Sequence, residues 1–150
     1  MSVVIAMLKI RSATTEDKES IVRVYNLSTE SESRLDEAYC ELLIRQGSMV
    51  VAELDQQLVG FGAIDLAATE QLKWLYLLPE HQRTGLGSQI LQQLEHTAWN
   101  AGLTSLRLHS FPGAVNFYLK LGYREVSRVD QIGHDHDGVE MIKDRGAIKR

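Results

Sequence analysis

The stretch HQRTGLGSQIL, residues 81–91, places two glycines one residue apart, directly before the pattern of a long amphipathic helix. Glycine inside a helix costs about 1 kcal/mol relative to alanine, so Gly85 and Gly87 require a reason. One reason is a ligand that approaches the backbone: the free amides of a helix start can hold a diphosphate, here against residues 83–88. The other is a strand–helix turn in which glycine serves tight packing. The two glycines alone leave both interpretations open.

The glycine pair differs from two nucleotide-binding patterns. It lacks the third glycine of the dinucleotide fingerprint, and no Gly-Lys-Ser/Thr ending of the nucleoside triphosphate loop follows it. Nicotinamide cofactors and ATP are therefore disfavoured as ligands.

The elements that must position this turn follow from apolar periodicity. Leu86, Ile90, Leu94 and Ala98 recur at intervals of four, and Gly102 ends the predicted helix. The runs SMVVAEL and QLVGFGAIDL predict a hairpin, and the run LKWLYLL stops at Pro79. The predicted order is β-α-α-β-β-β-α-β-α-β-β, an α/β (α+β) fold with a mixed central sheet and helices on both faces.

The composition is typical of one globular domain. The 150 residues, 44% of them hydrophobic, fit a single domain over 1–150, with residues 1–6 as a strand extension or an upstream start. A net charge of -4 disfavours a nucleic-acid partner, and no segment reaches the roughly 18 apolar residues of a membrane span. The single Cys40 cannot form an internal disulfide, and we expect a cytoplasmic protein. Edge strands and the apolar N-terminal run are compatible with a homodimer.

Two motifs resemble those of the GCN5-related N-acetyltransferase (GNAT) family. LYLLPEHQRTGLGSQIL is similar to the family's strand followed by Gln/Arg-x-x-Gly-x-Gly/Ala, which here spans Gln82 to Gly87. Residues 114–123, AVNFYLKLGY, are similar to Ala-x-x-Phe-Tyr-x-x-x-Gly-Phe/Tyr. The opening IRSATTED resembles the family's first strand and helix cap, and the element order covers almost the whole chain.

The resemblance implies acetyl-coenzyme A as the donor, with no metal. It implies that the backbone at Leu75 and Leu77 pairs with the pantetheine arm and polarises the thioester carbonyl. Gln82 belongs to the implied donor motif, Asn116 is implied to contact the pantetheine or phosphate end, and Tyr118 is implied to protonate the leaving thiolate. The pyrophosphate is implied to lie on the amides of Arg83, Thr84, Gly85, Leu86, Gly87 and Ser88. A phenol with a pKa near 10 suits that proton transfer, although spacing alone predicts a core tyrosine.

The resemblance does not identify a general base. The family's glutamate corresponds to Gln71, and the acidic residue of some bacterial members corresponds to Lys73. Glu70, Asp65 and His109 are the remaining candidates, and an ordered water is another route for the proton. An imidazole with a pKa near 6.5 suits base chemistry, but an exposed histidine at a strand end is equally consistent with the sequence.

Other polar and aromatic groups have competing interpretations. Phe111 stands where many family members have asparagine, and the preceding Ser110 is a candidate helix cap. Trp74 and Tyr76 are core residues or part of an aromatic cage. Two clusters of charged residues either bind a ligand or belong to solvated loops. The first would attract a cation and consists of Glu30, Glu32, Asp36 and Glu37. The second would bind a metal and consists of His134, Asp135, His136 and Asp137. For both we favour solvated loops.

The sequence thus predicts an acetyl-coenzyme A-dependent N-acetyltransferase. Its acceptor would be a primary amine of a small molecule, amino-acid-like or polyamine-like, which attacks directly in a ternary complex. The missing carboxylate at Gln71 and Lys73 favours an alternative, a sensor module that binds acyl-coenzyme A with little turnover. A phosphate-binding α/β domain outside this family would not bind coenzyme A.

Overall fold

The computed structural model describes residues 7–29, 33–126 and 138–146, and within them the elements follow the order predicted from the sequence. The strands are β1 (Leu8–Ser12), β2 (Met49–Leu54), β3 (Gln57–Ile64), β4 (Leu72–Leu77), β5 (Ser105–Ser110), β6 (Arg124–Glu125) and β7 (Val139–Asp144). The α-helices are α1 (Lys18–Ser28), α2 (Glu37–Arg45), α3 (Leu86–Asn100) and α4 (Val115–Lys120). Residues 1–6 and 134–137, with their predicted roles, lie outside the described residues. No helix in the described ranges is long and apolar enough to cross a membrane.

The strands form two antiparallel sheets, ordered β1-β2-β3-β4 and β5-β7-β6. The predicted hairpin joins β2 to β3 through Asp55 and Gln56, whose φ angles of 51° and 70° match the turn that suits the twist of a two-residue hairpin. β4 and β5 contact each other but are not paired into one sheet. The predicted α/β fold with helices on both faces is confirmed. The sheet differs from the predicted mixed one, because every strand pair among the described residues is antiparallel and the strands divide into two sheets between β4 and β5.

Helix α3 packs closely on one face of the first sheet because two glycines of β3 admit it. A Cβ atom at Gly62 would lie 2.8 Å from side-chain atoms of both Ile90 and Leu94. A Cβ atom at Gly60 would overlap the Leu77 side chain and lie 3.3 Å from that of Ile90. The apolar stripe predicted for α3 therefore packs directly against the backbone of β3.

Helices α1 and α2 cover the other face through a cluster of aromatic rings. Tyr25 of α1 packs edge-on against Tyr76, and Tyr39 of α2 packs edge-on against Trp74, with ring centroids 5.1 and 5.6 Å apart. Phe61 of β3 contacts both β4 rings. Trp74 and Tyr76 thus pack at the edge of the core, which agrees with the core interpretation of their alternation.

A buried charge pair connects α3 to the second sheet. Lys143 of β7 lies 3.2 Å from the Glu95 carboxylate, and both side chains are almost fully buried. The Tyr123 hydroxyl donates a hydrogen bond of 2.7 Å to the same carboxylate. Burial, with the nearby Glu95 charge, raises the pKa of Tyr123 well above its usual range, so its proton stays in place.

We expect Lys143→Met to lower the free energy of unfolding by about 3–5 kcal/mol, because it leaves the Glu95 carboxylate buried without its cation. Denaturant unfolding monitored by circular dichroism measures the change. Lys120→Met, at an exposed site at the end of α4, is the matched control and should stay within about 0.5 kcal/mol. Equal effects of the two variants would contradict a desolvated pair.

Candidate active site

The outer edge of β4 is free of any strand partner among the described residues. Leu78 donates its amide proton to the Val59 oxygen at 2.8 Å, so this pair is hydrogen-bonded. Because such pairs alternate along an antiparallel ladder, Leu75 and Leu77 direct their N–H and C=O groups away from β3. The Leu77 oxygen accepts a hydrogen bond of 3.2 Å from Gln82 Nε2, which agrees with this direction. The strand therefore offers main-chain hydrogen-bonding groups to a ligand.

Two adjoining depressions lie along this edge. The larger, of about 470 Å³, is lined by Ser28, Thr29, Leu75, Tyr76, Leu77, Gln82 and Phe111. The smaller, of about 110 Å³, lies between β4 and β5 and is lined by Leu72, Lys73, Trp74, Leu75, Tyr76, His109, Ser110, Phe111, Ala114 and Tyr118. Both contain the outward-facing residue Leu75. We call the larger one the outer cleft and the smaller one the inner cleft.

The two glycines of the turn after β4 have different structural reasons. Gly85 has φ of 88° and directly precedes α3, and a Cβ atom there would meet nothing within 4 Å. Glycine is therefore required at position 85 for its left-handed backbone conformation. A Cβ atom at Gly87 would lie 3.3 Å from the Phe117 ring and 3.4 Å from the Leu77 side chain, so this glycine serves helix packing. Arg83 also adopts a positive φ, 62°, which bends the chain sharply before the helix.

The N-terminus of α3 has no side-chain cap. The Thr84 hydroxyl donates to the His81 oxygen at 2.5 Å, and the Ser88 hydroxyl donates to the Gly85 oxygen at 3.0 Å, so neither serves a helix amide. The first turn of α3 also has no acidic residue that would repel an anion. The main-chain amides in the first turn of α3, together with the helix dipole, therefore suit the binding of a diphosphate. The turn places these amides next to the end of β4.

Tyr118 lies where the core meets the inner cleft. Its ring is buried against Phe117 and Tyr123 in edge-on contacts, and the residue is 8% exposed. It also lines the inner cleft, and its hydroxyl has no hydrogen-bond partner in the described part of the chain. Burial raises the pKa of Tyr118 above its ordinary value, so the phenol keeps its proton at neutral pH.

Glu70 and His109, two of the candidate bases, lie next to each other. His109 Nδ1 is 3.9 Å from Glu70 Oε2, and both atoms are shielded from solvent. His109 Nε2 lies against Gly138, where a Cβ atom would overlap it. His109 lines the inner cleft, whereas Glu70 lines neither cleft. The Glu70 carboxylate and the His109 imidazole therefore form a pair beside the inner cleft, and the imidazole ring packs against Gly138.

The other polar candidates are engaged in local structure. Asp65 accepts hydrogen bonds from the Tyr39 hydroxyl at 2.5 Å and from the Ala67 amide at 3.1 Å. Burial and the adjacent Asp65 raise the pKa of Tyr39 above its usual range. Gln71 uses both ends of its side-chain amide in hydrogen bonds to main-chain groups. Neither Asp65 nor Gln71 lines the inner cleft.

One expectation at the margin of the site needs correction. Ser110 is not a helix cap, because its hydroxyl donates to the Phe111 oxygen at 2.7 Å. Asn116 is exposed on α4 and lines neither cleft, so its implied donor contact remains a prediction. Ser28 and Thr29, which line the outer cleft, have no signal in the sequence beyond their place at the end of α1. Phe111 is 70% exposed and lines both clefts.

The acidic cluster is explained by local structure where it is described. The Asp36 carboxylate caps α2 by accepting a hydrogen bond from the Tyr39 amide at 3.0 Å. Glu37 lies 3.5 Å from Lys18 Nζ of α1. Glu30 and Glu32 lie outside the described residues. Over 7–29, 33–126 and 138–146 there is also no group of three or more His, Cys, Asp or Glu side chains placed to hold a metal.

Comparisons with known proteins agree with this geometry. The family model described as the acetyltransferase (GNAT) domain matches residues 14–144. Two curated proteins of Bacillus subtilis (strain 168) are similar: the uncharacterized protein YyaT, 33% identical over 85 residues, and the uncharacterized N-acetyltransferase YjcF, 31% identical over 74 residues. These matches cover 56% and 49% of this chain, and 57% and 53% of the relatives, so the chain spans little more than half of their length.

Among solved structures, a similar fold extends over nearly the whole of this chain in an archaeal N-acetyltransferase. The PaiA N-acetyltransferase from Thermoplasma acidophilum, in complex with coenzyme A, superimposes with a TM-score of 0.77 at 21% sequence identity. The match covers 92% of this chain and 99% of that chain. The divided sheet and the helices on both its faces thus belong to a known architecture.

We expect alanine to act differently at the two glycines of the turn. Gly85→Ala should lower the free energy of unfolding by about 1–2 kcal/mol, because a side chain disfavours its left-handed backbone. For Gly87→Ala, a helix-propensity gain of about 1 kcal/mol opposes the close contact with Phe117, so we expect a net change within about 1 kcal/mol. Denaturant unfolding of both variants measures these changes. A larger loss of unfolding free energy for Gly87→Ala than for Gly85→Ala would contradict the different roles assigned to the two glycines.

Proposed function

Because this chain belongs to the GNAT acetyltransferase domain family, we propose that it transfers the acetyl group of acetyl-coenzyme A to a primary amine of a small molecule. Direct attack in a ternary complex is the proposed route. Family membership supports the acetyl-coenzyme A-dependent chemistry, and the class of the acceptor is our proposal. The observation that carries it is the free edge of β4, which runs from the inner cleft to the uncapped start of α3.

The donor would lie along that edge. The Leu75 main chain and the remaining hydrogen-bonding capacity at Leu77 can pair with the amides of the pantetheine arm as a neighbouring strand would. The amides of residues 83–88 can hold the pyrophosphate, with the dipole of the 15-residue helix α3 favouring the anion. Coenzyme A in the structure of the Thermoplasma relative supports a donor of this kind.

Positioning and proton transfer are the protein's main tasks, because a thioester is already activated toward attack. The amine nitrogen forms a bond to the acetyl carbon, and the carbon–sulfur bond breaks. Tyr118 would protonate the departing thiolate, which its retained hydroxyl proton and the lack of a hydrogen-bond partner among the described residues support. The proton lost by the amine goes to water or to the Glu70–His109 pair beside the inner cleft.

Charge around the clefts favours an amino-acid-like acceptor over a polyamine. No carboxylate is among the described residues that line either cleft, and Lys73 of β4 lines the inner one. A cationic side chain attracts the carboxylate of an amino acid and repels a second ammonium group. We retain the cytoplasmic location, the homodimer and the absence of nucleic-acid or membrane partners as predictions.

Coenzyme A should stabilise the folded protein. At 100 times its dissociation constant, a ligand of the native state contributes about 2.7 kcal/mol, so thermal unfolding should shift upward with acetyl-coenzyme A and with free coenzyme A. ATP, which has no pantetheine arm to pair with β4, should give no comparable shift. If neither coenzyme A compound raises the midpoint, the donor site assigned to β4 and α3 is wrong.

Tyr118→Phe should reduce turnover by roughly 10²-fold while leaving the dissociation constant of coenzyme A nearly unchanged, because it removes only the proton donor. Turnover is measured as the release of the coenzyme A thiol in the presence of a panel of amino acids, simple amines and polyamines. Tyr25→Phe is the matched control, because its hydroxyl donates to the Ser33 oxygen rather than to the inner cleft. Unchanged turnover in Tyr118→Phe would contradict the acid role. Donor binding without any acetylated amine would instead support the sensor alternative.

A further inference from the structure

Gln71 lies where the opening between β4 and β5 begins. It directly precedes β4, and its main-chain oxygen accepts a hydrogen bond of 2.7 Å from the Asp65 amide. Its side-chain Oε1 accepts a hydrogen bond of 2.8 Å from the Arg107 amide of β5. Its Nε2 donates a hydrogen bond of 3.0 Å to the Ala68 oxygen. Both ends of the side-chain amide are therefore used, and they join β5 to the loop that leads into β4.

The Arg107 amide belongs to the side of β5 that faces away from β7. Arg145 donates its amide proton to the Thr104 oxygen at 2.8 Å, so alternate residues from Thr104 onward are hydrogen-bonded to β7. The main-chain groups of Arg107 and His109 lie between those positions and face the other way. Gln71 satisfies the Arg107 amide in place of a strand, and the inner cleft begins directly beyond this contact.

We propose that Gln71 is a positioning residue, whose amide pins β5 to the start of β4 and so sets the width of the inner cleft. This inference rests on the proposed acetyl transfer, because the inner cleft is the proposed acyl site. An amide is required, since one atom must accept from Arg107 while the other donates to the Ala68 oxygen. An ionised carboxylate has no proton for that second contact and would place two oxygens against each other. The position that corresponds to the family's glutamate is therefore structural in this chain.

Gln71→Glu separates a positioning role from that of a missing base. The ionisable residues around position 71 are its chain neighbour Glu70, Asp65 and Arg107, whose amides are hydrogen-bonded to it, His109 beside Glu70, and Glu140 beside Arg107. The neutral form of the carboxyl group can donate to the Ala68 oxygen, whereas the ionised form would meet that oxygen as a second acceptor, so this contact raises the pKa of the introduced group. When protonated, the group can accept and donate as the amide does. When ionised, it can only accept, so the pin is weakened as the pH rises.

The two roles predict opposite pH dependences. If Gln71 is a positioning residue, the activity of Gln71→Glu relative to the unchanged protein falls by about tenfold as the pH rises from about 5.5 to about 8.5. The KM for acetyl-coenzyme A rises to a matching extent. For a restored base the ratio rises, because only the ionised carboxylate accepts a proton. Gln92→Glu, on the exposed face of α3, is the control and should give a constant ratio. A rising or constant ratio for Gln71→Glu would overturn the proposal.

Amide hydrogen exchange tests the pin in the ligand-free protein, without any turnover. In Gln71→Ala, the Arg107 amide loses its acceptor and should exchange about tenfold faster, while the Leu108 amide, which faces β7, keeps its rate. An Arg107 amide that stays equally protected in Gln71→Ala would refute the pin. If the unchanged protein acetylates no amine, the proposed function fails, and the exchange result still decides the role of Gln71.

Discussion

The divergence of β4 from β5 is the constraint on which the rest of the site depends. An unpaired strand edge exposes main-chain N–H and C=O groups, which a folded protein normally satisfies or protects. Here two glutamines limit the exposed length. Gln71 bridges to β5 at the start of β4, and Gln82 donates to the Leu77 oxygen at its end. Between them the edge remains available at Leu75, beside the inner cleft, where a strand-like arm of a ligand can replace the missing strand.

The approach of α3 to the sheet brings the helix start to the end of that edge. Gly60 and Gly62 let Ile90 and Leu94 pack against the β3 backbone, and Gly87 admits the Phe117 ring. Larger residues at these positions would lift the helix away and separate its first-turn amides from β4. The glycines that serve packing therefore also set the distance between the two parts of the proposed donor site, and packing and ligand binding need not be competing explanations.

The sequence predicts the elements well because each has a local, periodic signal. The stripe of α3, the β2–β3 hairpin and the turn at Gly85 all follow from residues close in the chain. The bond from the Arg107 amide to Gln71 joins residues 36 apart, and a side-chain bond to a main-chain group leaves no periodic signature. The sheet's division and the lining of the outer cleft by Ser28 and Thr29 arise in the same non-local way. Tyr118 shows the limit most clearly, since spacing predicted a core residue and only the resemblance predicted an acid.

The buried charge pair also bears on the surroundings of Tyr118. Its ring packs edge-on against that of Tyr123, with centroids 5.6 Å apart. The Tyr123 hydroxyl donates its proton to Glu95, which Lys143 holds in place by a contact of 3.2 Å. The Tyr123 hydroxyl is therefore committed to α3, while its ring still supports Tyr118. An ion pair that contributes little net stability, because desolvation offsets its attraction, can in this way leave the Tyr118 proton available to a ligand.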